Sequence, residues 1–308
     1  MTCQIDSLDI MIGANQGVKC FGKRIRAATM DLFWEWIKHL ATPFPRHLRD
    51  MGYVEESRNL AARQDRCRVA WRPHLECTRS LILEAADRCC RFDKALIVGS
   101  GLLFDIPTAE LSQRFREVIL ADILHPWRVR KAVRSFDNVR LASVDITGAV
   151  ETVHAAARAG RGLDVAVSRP DFFLGDDIDL VVSANILSQL PVIPNGYVAG
   201  RHHGLAPGAI REFSRRLVIG HLDWLASFAC NVCLVSDLER LYCDGEDVVE
   251  REESLWGVNL PGEGQEWIWD LAPRPEIEWS RDIRHRVVGY AGFPKHAWRK
   301  RRHELIGE

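Results

Sequence analysis

The first ninety residues carry apolar positions at the spacing of amphipathic helices and contain no strand-like pattern. Over residues 24–40, apolar side chains recur at steps of three and four, which puts them on one helical face. Residues 54–68 form a second helical stretch, and a third begins after Pro73, because proline suits the first turn of a helix. The pattern predicts a helical N-terminal region spanning residues 1–92.

From residue 94 onward, short apolar runs alternate with helical stretches. The run ALIV at residues 95–98 ends in glycine and has no polar position, as expected for a strand buried on both faces. The other predicted strands of this part are residues 118–121, 139–144, 180–183 and 232–235. The helices predicted between them are residues 108–115, 127–136, 150–159 and 209–229. This alternation indicates a mostly parallel sheet with helices on both faces.

The alternation stops near the C-terminus. Residues 266–270, in a run that could extend to 278, and residues 285–290 have strand character without a full helix between them. Counting these two, residues 93–308 predict an α/β domain with a mostly parallel, doubly wound (Rossmann-like) seven-stranded sheet. The helical region 1–92 precedes it.

Composition restricts the class of protein. The chain has 308 residues, 47% hydrophobic and 27% charged, which is ordinary for a globular protein. Lys plus Arg number 41 against 42 for Asp plus Glu, so no net field attracts nucleic acid or an anionic membrane. Nine scattered cysteines, an odd number, indicate reduced thiols. No apolar run reaches the roughly 18 residues of a membrane helix, and the first residues lack a signal-peptide pattern. We therefore expect a soluble, cytoplasmic protein.

Candidate ligand-binding residues follow the first four predicted strands. In an open parallel sheet, ligands bind outside the carboxyl ends of the strands. In chain order these positions hold Gly99, Ser100 and Gly101, then Asp122, then Asp145 with Ile146, then Asn185. The glycines let a ligand approach the backbone, the first acid can accept hydrogen bonds from both ribose hydroxyls, and the second can face adenine. The set predicts a nucleoside pocket, although either aspartate could instead cap the following helix.

Two phosphate-binding motifs are missing from the sequence, and their absence restricts the group that is attached to the nucleoside. A dinucleotide site uses G-x-G-x-x-G, and here the third glycine position holds Phe104. A phosphate-binding P-loop is also absent from the sequence. The pocket therefore suits an adenosine without a pyrophosphate, and S-adenosyl-L-methionine (SAM) meets that description.

At these motifs the sequence resembles the class I SAM-dependent methyltransferases, over residues 94–293. The resemblance rests on ALIVGSG, VILAD, LASVDITG and DIDLVVSANILSQLP for the first four strands and their ends. It implies methyl transfer to an unidentified acceptor, with SAM as cofactor. It also implies the following roles: the methionine part along Gly99 and Gly101, the ribose on Asp122, the adenine facing Asp145, and the transferred methyl near Asn185.

Two positions depart from the family pattern. The first strand has Ile97 where the family usually carries an acid, and the turn has Leu103 where a third glycine is usual. Asp105 could substitute for the acid, but just before Pro107 it is more typical of a helix cap. The departures favour, as an alternative, a non-catalytic interaction module that retains the fold. A nicotinamide-dependent oxidoreductase is a further alternative, against which Phe104 and the late strand pair count.

The segment PNGYVAGRHHGLAPG at residues 194–208 is predicted to be a mobile loop beside the methyl-donating end of the pocket. It carries His202 and His203, and a histidine there could take a proton from the acceptor near neutral pH. We therefore take both histidines as candidate catalytic residues. The alternative is an exposed loop with an incidental histidine pair.

The helix before the first strand carries three more candidates. Arg72, His74 and Arg79 could contact the cofactor carboxylate, but a solvated helical face is the favoured interpretation. Cys230 and Cys233 have metal-ligand spacing without a second pair, so we expect buried thiols and no metal site.

Two features remain near the C-terminus. Trp267 and Trp269 alternate along a strand and are predicted to pack on one side of the sheet. Residues 295–303, KHAWRKRRH, begin with Lys295 and end with His303, and they form the one strongly basic stretch. We expect this tail to be solvated, and nucleic acid to be a partner only if the tail binds it.

Overall fold

The computed structural model describes residues 44–163, 165–167, 170–202 and 206–306. The helix predicted over residues 24–40 lies outside these residues, as does His203. In the described part, three helices precede the first strand: α1 Arg46–Asp50, α2 Tyr53–Arg66 and α3 Arg68–Asp87. They belong to the same compact unit, residues 44–308, as the sheet. The boundary at residue 92 stays a prediction.

The sheet has eight strands within the described residues. They are β1 Lys94–Val98, β2 Glu117–Asp122, β3 Val139–Ser143, β4 Leu180–Ala184, β5 Asn231–Asp244, β6 Asp247–Glu253, β7 Gln265–Ala272 and β8 Asp282–Tyr290. The order is β3-β2-β1-β4-β5-β8-β7, with β6 paired to β5 outside this path. Strands β1 to β5 run parallel, and β8 lies antiparallel between β5 and β7.

Helices cover both faces of the sheet. After β1 the chain forms α4 Thr108–Arg114, α5 Trp127–Ala132, α6 Val150–Arg158, α7 Val192–Ala199, α8 Pro207–Leu225 and α9 Lys295–Ile306. Two buried apolar clusters lie on opposite sides, because alternate residues of β1 and β4 belong to one or the other. Four of the five residues of β1 and all of β4 are buried, which explains their continuous apolar runs. The predicted doubly wound α/β fold is confirmed.

The predicted number of strands was one too few. Strand β5 continues far beyond residue 235, and the hairpin turn at Gly245, with φ +63, returns the chain as β6. Every residue of β6 is exposed, and the sequence DVVEREE is mostly charged. No apolar pattern marks such a strand, because its pairing to β5 rests on backbone hydrogen bonds.

The predicted loop at 194–208 is helical over its first half. Helix α7 buries Tyr197 and Val198, and the buried Asn195 donates through Nδ2 to Ser214 Oγ at 2.8 Å. Pro194 falls in the first helical turn, where proline is tolerated. Pro194 and Gly196 therefore do not prevent a helix over the first part of the segment, since burial of its apolar residues outweighs their low helix propensity.

The basic C-terminal stretch is not a solvated tail. It forms α9, in which Trp298 is fully buried. Lys295 Nζ donates to the carbonyl oxygens of Phe228 and Cys230 at 2.8 and 2.6 Å. These carbonyls lie just after the C-terminus of α8, where partial negative charge collects and cations are favourable.

Candidate functional site

A cavity of about 220 Å³ opens at the carboxyl ends of β1 to β4. Its wall contains seven of the predicted cofactor-binding residues: Gly99, Gly101, Asp105, Asp122, Asp145, Ile146 and Asn185. Ser100, the remaining one, is fully buried and is not part of the wall. Positions that are far apart in the chain thus meet in one place, because the carboxyl ends of parallel strands share one edge of the sheet.

The glycine turn after β1 requires glycine at its first position. Gly99 has φ +73, and a Cβ there would lie 2.8 Å from Ile186 Cβ and 2.9 Å from Ala184 O. Gly101 also has positive φ, +50, but a Cβ would meet only Gly99 O at 3.8 Å. Gly99 thus lets the turn pack against the end of β4, whereas Gly101 keeps the cavity wall free of a side chain.

Asp122 ties the ends of β1 and β2 together. Its Oδ2 accepts from the Gly101 amide at 2.8 Å, and its Oδ1 accepts from the Ile123 amide at 2.7 Å. Burial raises the pKa of Asp122, and these backbone hydrogen bonds act in the opposite direction. The carboxylate is fixed in the wall beside the glycine turn, with acceptor capacity left for a ligand.

Asp145 does two things at once. Its Oδ1 accepts from the Thr147 amide at 2.9 Å and from Thr147 Oγ1 at 2.6 Å. Its Oδ2 accepts from the amide of Val150, the first residue of α6, at 2.8 Å. The N-cap residue of α6 is Ala149, so Asp145 is not the cap, but its carboxylate binds the first amide of that helix and also lines the cavity.

Helix α2 crosses the cavity, which the sequence did not predict. Four of its residues line the wall at helical spacing: Tyr53, Glu56, Ser57 and Leu60. Burial raises the pKa of Tyr53, and the negative charges of Asp145 and Asp122 raise it further. The N-terminal end of α2 therefore faces the end of the cavity that holds these two aspartates.

Asp105 and Asn185 meet at the other end. Asn185 Nδ2 donates to Asp105 Oδ2 at 2.6 Å, and the Asn185 backbone has φ +50, which asparagine tolerates better than most residues. Burial raises the pKa of Asp105. The capping prediction for Asp105 was wrong, because Pro107 occupies the N-cap position of α4 and no side chain bonds there.

His74 was predicted on a solvated face, and the structure corrects this. It is 1% exposed and stacks on Trp269, with ring centroids 4.0 Å apart. Its Nδ1 accepts from Trp267 Nε1 at 3.0 Å, and its Nε2 lies 3.3 Å from Asn185 Nδ2. Burial lowers the pKa of His74 to about 4, so the ring is neutral at physiological pH.

The sequence held a signal for this burial. His74 lies three residues after Trp71 and seven before Leu81, on the apolar face of α3. The prediction that Trp267 and Trp269 share a side of the sheet is confirmed, because both rings contact His74. Trp71, His74 and Trp269 form an aromatic wall at the Asn185 end of the cavity, and Trp267 contacts His74 without lining the cavity.

The two candidate arginines of α3, Arg72 and Arg79, do not line the cavity. Arg72 is 72% exposed and lies near Glu76, as predicted for a solvated face. Arg79 donates to the carbonyl oxygen of Phe104 and so holds the turn after β1 from outside.

The structure does not bring His202 to the cavity. It borders a separate surface depression with Arg46, Tyr197 and Arg201, and its Nε2 lies 3.2 Å from Ala157 O. Helix α7 is the reason, since it carries the chain away from the end of β4 before residue 202 is reached. His203, the other predicted catalytic histidine, lies outside the described residues.

Of the two predicted buried thiols, Cys233 is buried and Cys230 is half-buried. Both are free, and burial raises the pKa of each. Among the described residues, no group of three or more His, Cys, Asp or Glu is arranged to hold a metal ion.

Fold and site together define a class: a doubly wound α/β domain with a cavity at the carboxyl ends of its parallel strands. None of the helices in the described ranges combines the length and the apolar character needed to cross a bilayer.

Several solved structures resemble this chain. The N-methyltransferase NodS from Bradyrhizobium japonicum WM9 in complex with S-adenosyl-L-homocysteine (SAH) is 13% identical over 69% of this chain and 85% of its own, with a TM-score of 0.33. The complex of DhpI with SAM and HEP is 14% identical over 85% and 91%, with a TM-score of 0.33. The 1,6-didemethyltoxoflavin-N1-methyltransferase from Burkholderia thailandensis is 13% identical over 74% and 86%, with a TM-score of 0.29.

No protein-family model and no curated protein matches the sequence. At the identities and TM-scores of the solved structures, the assignment of a function rests on this chain's own residues.

Proposed function

We propose that this protein binds SAM and transfers its methyl group to an acceptor. One observation carries the proposal: residues from the ends of four successive parallel strands line one cavity, in the order that a nucleoside pocket requires. In this assignment Gly99 and Gly101 lie along the methionine part and Asp122 accepts from the ribose hydroxyls. Asp145 and Ile146 enclose the adenine.

The charge of the wall supports SAM over a dinucleotide. The lining contains four carboxylates, and among its described residues there is no lysine or arginine. A pyrophosphate would bring two negative charges into this surrounding without a cation to pair them. SAM carries a positive sulfonium, which the carboxylates of the lining stabilise.

The Asn185 end of the cavity also suits a bound ligand. The Oδ1 atom of Asn185 is buried, and no donor of the described residues reaches it. A buried acceptor without a partner is costly, and a ligand N–H or O–H would satisfy it. Asp105 accepts a hydrogen bond from the side-chain amide of Asn185, so we assign both residues to the methyl-donating end.

SAM, when bound, supplies a methyl group on a positively charged sulfur. The chain's own contribution is alignment: the Gly101 backbone and Asp122 fix one side, and the aromatic wall limits the approach from the other. Helix α2 lies across the cavity and limits the access of water to it. No protein base is required for a nucleophile that reaches the methyl group with a free lone pair.

Calorimetric titration tests the proposal directly. We expect heat of binding with SAM and with SAH, and none with NAD. Binding of NAD alone would favour the oxidoreductase alternative. Absence of binding by all three would leave the non-catalytic module.

The non-catalytic alternative has one specific observation in its favour. Ile97 is fully buried within an apolar cluster on one face of the sheet, so the position where the family carries an acid is part of the core. Transfer of tritium from methyl-labelled SAM separates the two functions. A protein that binds SAM but labels no compound in a cell extract would support the module.

A further inference from the structure

Four carboxylates line the cavity. Asp145 and Asp122 lie near Tyr53, Asp105 accepts from Asn185, and Glu56 is an exposed residue of α2. The single histidine of the described lining, His74, is neutral because burial lowers its pKa to about 4. A negatively charged guest therefore meets carboxylates in the described lining, and no lysine or arginine that would pair with it.

The Asn185 end is built from aromatic rings. Trp71 contacts Trp269 edge to face, with ring centroids 5.1 Å apart, and His74 stacks on Trp269 with an angle of 7° between the rings. Trp71 is held by a hydrogen bond from Nε1 to Leu271 O at 2.8 Å. These rings are fixed in place, and they suit a flat apolar body.

Two buried polar atoms at this end lack partners among the described residues: the acceptor Asn185 Oδ1 and the donor Trp269 Nε1. An amine, neutral or protonated, carries N–H groups that can donate to Asn185 Oδ1. Its lone pair is needed for the reaction, so the Trp269 donor requires an acceptor elsewhere on the guest.

We infer that the methyl acceptor is an amine carried on a flat, apolar body, and that carboxylates and phosphate esters are not acceptors. The inference rests on the proposed function. In the reaction, the bound ammonium first releases one proton to solvent, which frees the lone pair of the amine. The lone pair then forms the N–CH3 bond while the S–CH3 bond breaks, so the positive charge moves from sulfur to nitrogen and SAH leaves neutral at sulfur.

A matched pair of probes tests the inference. Phenethylamine and 3-phenylpropionate have the same ring and similar length, and they carry opposite charges at pH 7.5. We expect phenethylamine to bind SAH-saturated protein at least tenfold more tightly than 3-phenylpropionate, measured by calorimetry. Equal affinities, tighter binding of the carboxylate, or no binding by either probe at millimolar concentration would overturn the inference.

A set of variants assigns the preference to the cavity. Asp105→Asn removes one carboxylate of the wall and should reduce the preference for the amine at least threefold. Glu56→Gln serves the same purpose if the first variant does not fold. Glu55→Gln is the matched control, because Glu55 is exposed on the same helix, pairs with Arg58 and does not line the cavity. An unchanged preference in both Asp105→Asn and Glu56→Gln would contradict the inference.

The same titrations without SAH distinguish a failure of the proposed function from a failure of the acceptor class. If SAH does not bind, the proposed function is wrong, and the amine preference is still measured on the free protein. If SAH binds and the amine preference is missing, only the acceptor class is wrong.

Discussion

Asp122 illustrates how one side chain can fix the backbone and line a cavity at the same time. It accepts hydrogen bonds from the Gly101 and Ile123 amides, and it also faces the cavity. Asp145 binds the first amide of α6 and lines the cavity in the same way. A structural role at these positions therefore does not exclude a place in the cavity wall.

Replacing Asp122 tests its role on the ribose. Hydrogen bonds to a charged group contribute about 1.5–3 kcal/mol, so Asp122→Ala should weaken SAM binding by about that amount. Asp122→Asn should recover only part of the lost affinity for SAM, because asparagine lacks the negative charge. Calorimetry measures both variants, and Asp137→Ala is the control, since Asp137 is exposed and does not line the cavity. Alanine binding as tightly as the parent would remove Asp122 from the site.

The two glycines of the turn should respond differently to alanine. Gly101→Ala has open space, so we expect only the left-handed backbone penalty of about 1–2 kcal/mol in unfolding free energy, with SAM affinity strongly reduced. Gly99→Ala adds contacts under 3.0 Å with Ile186 and Ala184, so it should be destabilised more. Urea unfolding measures the stabilities. Equal losses in the two variants would refute the packing argument.

At the scale of elements, α9 was the most misleading part of the sequence. Its cations bind carbonyl groups or acids: Lys295 at Phe228, Arg301 at Leu260 and Arg302 at Asp223. A run of charged residues indicates a solvated segment only when no carbonyl group or acid of the folded protein binds it. These partners are distant in the chain, so the run itself does not reveal them.

Trp298→Ala should therefore destabilise the whole domain. Trp298 is fully buried and donates from Nε1 to Asp223 Oδ1 at 2.9 Å. Loss of a buried tryptophan lowers the unfolding free energy by about 3–5 kcal/mol. Lys300→Ala, on the exposed side of the same helix, is the control and should change it little. Thermal or urea unfolding compares them, and similar stabilities would mean that α9 is not part of the core.

Elements with apolar periodicity were predictable, and those fixed by pairing were not. Strands β1, β2 and β4 match their predicted runs within one or two residues, because both faces are buried. Strand β6 has no such run, and α7 contains residues typical of loops. The cavity's strand-end residues followed from topology, whereas its α2 and β7 walls depend on tertiary packing that a single sequence does not specify.

At the scale of the whole molecule, buried neutral histidines couple stability to pH. Burial lowers the pKa of His74 to about 4 and that of His221 to about 3, from an ordinary value of 6.5. The folded state therefore resists protonation of rings that the unfolded chain protonates readily. Between the lowered pKa values and 6.5, the unfolded state binds more protons than the folded state. Stability therefore rises with pH through this window and is lost as the pH falls.

Acidification from pH 7 to pH 4 should thus lower the unfolding free energy, with His74 alone contributing on the order of 3 kcal/mol. His74→Phe keeps a ring against Trp269 but has no titrating nitrogen, so its stability should fall less over the same range. It should also be less stable at pH 7, because the Trp267 N–H loses its buried acceptor. Urea unfolding at pH 7, 5.5 and 4 measures these differences, and His296→Gln is the exposed control. A pH dependence in His74→Phe as steep as in the parent would contradict the prediction. It would show that His74 has the same pKa in the folded and the unfolded protein.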